Sequence, residues 1–168
     1  MELIKFDMQN ETMAMALLPL YQAYEAEISG DELDDFDEFY PYDSFDELYE
    51  VFHGYLDGKM VYICVIDGEY RGFVAFHVDT DEIPGFADGY RGWGHLSDLY
   101  MCKQSRGRGL GKMLVDKAEE GLKKLGVKAI HTMNMLPANI GFWKAVGYTD
   151  TGKIEPEEGG QIVEKYLG

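Results

Sequence analysis

The chain has 168 residues, 46% of them hydrophobic and 14% aromatic. That is enough for one cored domain spanning residues 1–168, and too apolar for a disordered chain. A formal net charge of −16 argues against nucleic acid as a partner. No apolar run approaches the length of a membrane span, and the opening Met-Glu-Leu-Ile-Lys-Phe-Asp lacks the layout of a secretory signal. Cys64 and Cys102 match no metal or redox spacing and sit in apolar strand contexts. A cytoplasmic protein with buried reduced thiols and no membrane partner is the expectation.

In chain order, residues 2–6 alternate as a first strand. Met13, Leu17, Leu18, Tyr21, Tyr24 and Ile28 recur at helical spacing over 10–28, with Gly30 as the C-cap. Residues 30–44 mix acids with Phe36, Phe39, Tyr40 and Tyr42 around Pro41, as a loop or a short helix pair. Ser44 and Glu47 form a capping box for a helix near 45–56. Residues 61–66 and 72–78 predict two strands joined across Asp67-Gly68, a hairpin signal. A glycine-rich loop over 79–93 leads to a strand at about 94–102 and a helix at about 108–125, closed by Gly126. A strand over 127–133, a short helix opened by Pro137, and strands at 148–152 and 161–167 complete the chain. The order β-α-α-β-β-β-α-β-α-β-β implies a mixed α/β (α+β) sheet with helices on both faces.

Charge is distributed unevenly along these elements. No Lys or Arg lies between Lys5 and Lys59, a span dense in Asp and Glu from Glu25 to Glu50. Lys103, Arg106, Arg108, Lys112, Lys117, Lys123, Lys124 and Lys128 instead crowd one glycine-rich loop and the helix after it. An anionic ligand is drawn to the second region and a cationic one to the first. The acidic run also reads as a merely solvated surface.

That loop, Gln104-Ser-Arg-Gly107-Arg-Gly109-Leu110-Gly111-Lys112, follows an apolar strand and opens an amphipathic helix. Its glycines let a ligand approach the backbone. The helix start supplies unpaired N–H groups and the positive end of the dipole. A phosphate-bearing ligand is therefore expected there. Arg106 and Met113 break the Walker A pattern, and Lys112 breaks the Rossmann one. The spacing Gln104-x-x-Gly107-x-Gly109, with Asp98-Leu99-Tyr100 before it and Phe142-Trp143-Lys144-x-x-Gly147-Tyr148 after it, resembles the GNAT family of N-acetyltransferases. The resemblance covers nearly the whole chain. It implies a mostly antiparallel central sheet of 6–7 strands flanked by about four helices. It also implies acetyl-CoA as the acyl-donor cosubstrate.

Leu96, Leu99 and Met101 read as inward positions of one strand, yet 96 and 99 cannot share a face at period two. A β-bulge near Ser97 or Asp98 restores the phase. In the family, this strand splays from its neighbour and pantetheine lies in the gap, where a freed amide can stabilise an oxyanion. The resemblance thus assigns cofactor binding to Leu99, Tyr100, Met101, Gln104, Arg106, Gly107, Arg108, Gly109, Leu110, Gly111 and Lys112, together with Asn139 and Trp143.

An alkyl amine of pKa about 10.4 costs roughly 4–5 kcal/mol to deprotonate near pH 7, so a base is needed. His95 and Asp98 are the candidates, each with a structural alternative. Asp98 could instead bind the substrate's cationic nitrogen. Two departures from the family stand out. Trp143 occupies the place of its general-acid tyrosine, and Leu136 that of its asparagine. Asn139 is the nearest substitute, Asn134 a weaker one, and Asn139 could simply cap its own helix. The expected reaction is direct attack of a primary amine on the thioester. The acceptor is expected to be a cationic small molecule or peptide, with no metal and with a homodimer left open. The alternative is a CoA-binding sensor or scaffold without turnover.

Overall fold

The computed structural model describes residues 1–29, 45–85 and 88–168. The expected Gly30 C-cap, the aromatic-acidic stretch and the Ser44 half of the capping box lie outside these residues. Strand β1 (Glu2–Lys5) leads into helix α1 (Glu11–Ser29). Asn10 starts α1 by accepting the Met13 N–H at 3.1 Å. Pro19 sits inside α1 on its exposed side, while Ala14, Leu17, Leu18, Tyr21 and Tyr24 are buried. Helix α2 (Phe45–Leu56) buries Leu48, Phe52 and Leu56, one residue per turn along one stripe.

Strands β2 (Met60–Ile66) and β3 (Glu69–Val78) form the expected hairpin. Asp67 and Gly68 hold φ at 52° and 78°, the left-handed pair that matches strand twist in a two-residue turn. After the 79–93 loop come β4 (Gly94–Met101), helix α3 (Leu110–Lys124) and β5 (Ala129–Asn134). A short helix α4 (Ile140–Ala145) follows a single 3-10 turn over Pro137–Asn139. Strands β6 (Thr149–Ile154) and β7 (Gln161–Tyr166) finish the chain.

Among the described residues the seven strands form one sheet in the order β1-β2-β3-β4-β5-β7-β6. Every neighbouring pair is antiparallel except β4 and β5, which are parallel. One core lies under α1 and α2, around Leu17, Phe52, Phe73 and Tyr100. The other lies under α3, around Phe76, Leu96, Leu114 and Ile130. Helices thus cover both faces, as the element order implies. Cys64 is buried and Cys102 only half-buried, just past the end of β4, and neither forms a disulfide. No helix among the described residues is long and apolar enough to cross a membrane.

Candidate active site

The site is built on an interruption of β4. Ala75 pairs with Asp98 and Phe76 with Leu96, so Ser97 is an extra residue on β4. This is the bulge that the hydrophobic pattern demands: it sets Leu96, Leu99 and Met101 together against the α3 core. The parallel ladder to β5 holds only at Gly94–Ile130 and His95–His131. Beyond that point the strands part. The Thr132 hydroxyl donates to the Leu96 carbonyl at 2.7 Å, pinning the fork where it opens.

The fork continues into a cleft of about 470 Å³. Leu96, Ser97, Leu99 and Met101 line one side, Thr132 to Leu136 the other, and residues 105–107 and 109–112 the end toward α3. Gly107 and Gly109 hold φ at 79° and 75°, and a Cβ on either would meet nothing within 4 Å. They are glycines for backbone conformation and for an open approach. Gly111 has a different reason: its Cβ would sit 3.3 Å from the Phe142 ring, so α3 passes close to α4. Gly109 is the N-cap of α3 and has no side chain to occupy the first amides.

The basic residues of the loop are deployed unequally. Arg106 turns back toward α1: its Nη2 donates to Glu27 at 2.6 Å, its Nε donates to the Met101 carbonyl at 2.8 Å, and it lies over the Tyr100 ring. Lys112 pairs with Asp116 one turn along the exposed face of α3. Gln104 and Arg108 are exposed, and neither lines the cleft. The spacing read from Gln104 recurs two residues later as Arg106-x-x-Gly109-x-Gly111, and this second frame coincides with the helix start. Trp143 is buried and lines the cleft, packed edge-on against Phe142 and Tyr148. Asn139 lines it too, and its side chain makes no capping hydrogen bond to α4. Asn134 is tied to Gln161, its Nδ2 donating at 2.8 Å.

The two candidate bases lie apart. Asp98 is half-buried beside α1, 3.6 Å from the Lys59 ammonium. It accepts the hydroxyl of the cleft-lining Ser97 at 2.9 Å and that of Tyr24. Burial, then the Asp98 charge, push the Tyr24 hydroxyl well above the usual phenol range, so it remains a donor. His95 is buried and is not among the cleft-lining residues. It sits with His77, His131 and Asp79, stacked on His131 at 4.6 Å, and Tyr90 and Trp93 pack against His131. Burial is the main cause of its pKa falling to about 4, against the pull of Asp79. Burial would raise the Asp79 carboxyl, but its contacts with His131, His77 and His95 hold it well below its ordinary range.

A family model described as the acetyltransferase (GNAT) family matches residues 26–148. The chain belongs to that family. It is therefore an acyl-CoA-dependent transferase with acetyl-CoA as donor. The fold is shared with an acetyltransferase from Thermus thermophilus, 16% identical, with a TM-score of 0.69 and coverage of 99% of this chain and 98% of that one. The PaiA N-acetyltransferase of Thermoplasma acidophilum, solved in complex with coenzyme A, gives 13% identity, a TM-score of 0.62, and 99% and 100% coverage. Aminoglycoside 6'-acetyltransferase type Ii gives 18%, 0.67, and 99% and 97%. No curated protein matches the sequence.

As an acetyltransferase the chain carries lining residues that motif reading missed. Thr132 and Met133 lie on β5 and Met135 just past its end, where the sequence reads as ordinary core. Only the parting of β5 from β4 turns them toward a ligand. A cofactor phosphate fits the uncapped start of α3 and the open glycine faces, while the apolar walls suit a thioester arm.

Proposed function

We propose that this acetyltransferase acetylates the primary amine of a cationic small molecule or peptide. The observation that carries the reading is a convergence of acids from three elements. The Glu25 carboxyl on α1 is raised above its ordinary value by burial first, and then by the charges of Asp98 on β4 and Glu158 in the β6–β7 loop; a hydrogen bond from Tyr21 opposes this. A carboxyl raised by neighbouring carboxylates is relieved by a cation placed among them. Tyr21, Tyr24 and Tyr55 cluster beside the group, and aromatic faces add cation–π attraction. The acidic and aromatic residues from Asp31 to Asp43, the region expected to draw a cationic ligand, lie outside the described residues.

In this reading residues 106–111 hold the pyrophosphate of the donor, and the Leu99–Met101 edge lies along its pantetheine. Acetyl-CoA supplies an activated acyl group. Asp98, through Ser97 or an intervening water, receives the proton of the attacking ammonium. The backbone edge of β4 freed after His95 faces the thioester carbonyl. Trp143 packs against the donor rather than acting as an acid, and the leaving thiolate takes its proton from water.

Thiol release from acetyl-CoA across a panel of cationic, neutral and acidic amines, with mass detection of product, tests this. Cationic amines should be preferred, and Asp98→Asn should raise their KM and lower kcat. Equal or better turnover of acidic amines would overturn the acceptor class. Absence of release with every amine would favour a CoA sensor.

A further inference from the structure

A second constellation lies outside the cleft, and the transferase reading does not use most of it. Three of the chain's four histidines, His77, His95 and His131, come from three different strands. His77 and His95 are Cα partners across β3–β4, and His95 and His131 are partners across β4–β5. Their side chains therefore form a row on one face of the sheet. Asp79, just past the end of β3, reaches into this row. All four residues are buried.

The two carboxylate–imidazole distances are compatible with a shared coordination shell. His77 Nε2 lies 3.0 Å and His95 Nδ1 3.5 Å from Asp79 Oδ1. The three donor atoms all lie within 4.8 Å of one another. Ligands about 2.0–2.1 Å from a tetrahedral metal are roughly 3.4 Å apart, so both carboxylate–imidazole spacings straddle that value. Direction points the same way. At 3.0 Å, His77 Nε2 is in close contact with Asp79 Oδ1 without the alignment of a well-formed hydrogen bond, and His77 Nδ1 has no partner among the described residues. Buried polar atoms are rarely left so. Ligands of one metal stand at this separation with their lone pairs aimed at the ion rather than at each other.

The surroundings are built in the same way. His131 Nε2 lies 2.5 Å from Asp79 Oδ2, the carboxylate oxygen that His77 and His95 do not approach. A ligating carboxylate is held by such an outer partner. Tyr90 stacks flat on the His131 ring at 4.1 Å, and Trp93 packs edge-on against both. Gly85 brings the loop backbone so near that a Cβ there would fall 2.2 Å from Asp79 Oδ2. The backbone at Gly85 thus packs against the carboxylate.

We propose that His77, Asp79 and His95 form a binding site for one divalent transition-metal ion, with His131 orienting the carboxylate. Two imidazoles and one carboxylate are nitrogen and oxygen donors suited to Zn²⁺, and Co²⁺ is a spectroscopic substitute. The ion ties β3, β4 and the Asp79 segment after β3 together at the closed end of the β4–β5 fork. Its role is to hold the acceptor side of the fork rigid, and it takes no part in acyl transfer.

The test uses the full chain without a histidine tag, treated with chelator and dialysed. Zn²⁺ is titrated by calorimetry and Co²⁺ by visible absorption, with the thermal midpoint measured at each loading. The expected result is one equivalent per chain, a Co²⁺ band of low coordination number, and a raised midpoint. His77→Gln and Asp79→Asn should lose uptake, and His131→Gln should weaken it about 10–100-fold. The exposed His53→Ala should match the parent. Circular dichroism identifies any variant that fails to fold, and the parent titration stands without it. No stoichiometric uptake by the folded parent at micromolar metal overturns the site. So does uptake that survives both His77→Gln and Asp79→Asn. Neither outcome bears on the acceptor class, which the amine panel reads separately.

Discussion

Gly109 holds a φ of 75° at the N-cap of α3, and its missing Cβ would point into open space beside the cleft. A side chain there meets no protein atom, so its effect falls on the ligand and on the backbone conformation. Gly109→Val should fold, with a loss of roughly 1–2 kcal/mol for the left-handed residue, and should no longer bind coenzyme A in calorimetry. Unchanged affinity in a folded variant would remove the pyrophosphate from this loop. Glu25 gives a pH-dependent counterpart. Its carboxyl is raised in the fold, mainly by burial. A raised carboxyl binds its proton more tightly folded than unfolded. Its stabilising share is therefore full at low pH and is lost as pH rises from the unfolded value of about 4.3 through the folded one. Glu25→Gln, which can still accept from Tyr21, should raise the thermal midpoint at pH 7, with the gain vanishing in scans below about pH 4.

At the scale of elements, the fork between β4 and β5 depends on few contacts. The ladder ends at His95–His131, and Thr132 supplies the next link through its hydroxyl to the Leu96 carbonyl. Thr132→Val keeps the shape and leaves that carbonyl without its donor, at about 1–3 kcal/mol. At this chain length each kcal/mol lowers the midpoint by about 2–4 °C. The variant should also weaken donor binding, because the mouth of the cleft is no longer held at a set width. On the opposite side, α3 and α4 meet through Gly111 and Phe142 at a spacing that has no room for a large side chain. Gly111→Leu should cost about 1–3 kcal/mol by overpacking, read as a fall in the denaturant midpoint. Glu119 braces the same layer: it accepts from Tyr148 and Lys165, and Lys165 also donates to the Val146 carbonyl at the end of α4.

For the whole molecule, a net charge of −16 acts in opposite senses on the anionic donor and on the cationic acceptor proposed above. A cationic acceptor is drawn in by this field and the anionic donor is opposed by it. Salt shortens the reach of both effects to about 8–10 Å near physiological ionic strength. Raising salt should therefore raise the KM of the acceptor while leaving the KM of acetyl-CoA unchanged or lower. Initial-rate measurements from about 20 to roughly 500 mM salt would check both. An acceptor KM indifferent to salt would leave the acidic surface as solvation alone.

The sequence by itself determined the element order, the Asp67-Gly68 turn, the glycine-rich start of α3 and the bulge in β4. Each is a local consequence of periodicity or of a residue that only one backbone geometry suits. The bulge was legible because Leu96 and Leu99 cannot share a face without an added residue, and the structure places that residue at Ser97. What the tertiary structure alone decided is which side chains meet. Glu25, Asp98 and Glu158 come from a helix, a strand and a loop far apart in the chain. His77, His95 and His131 carry no motif spacing, yet strand pairing sets them in one row around Asp79. Arg106, which by spacing belongs to the anion, is turned to Glu27 because α1 packs beside the loop. Local pattern constrains neighbours in sequence, whereas charge and coordination depend on distance in space, and only the packed sheet sets that distance.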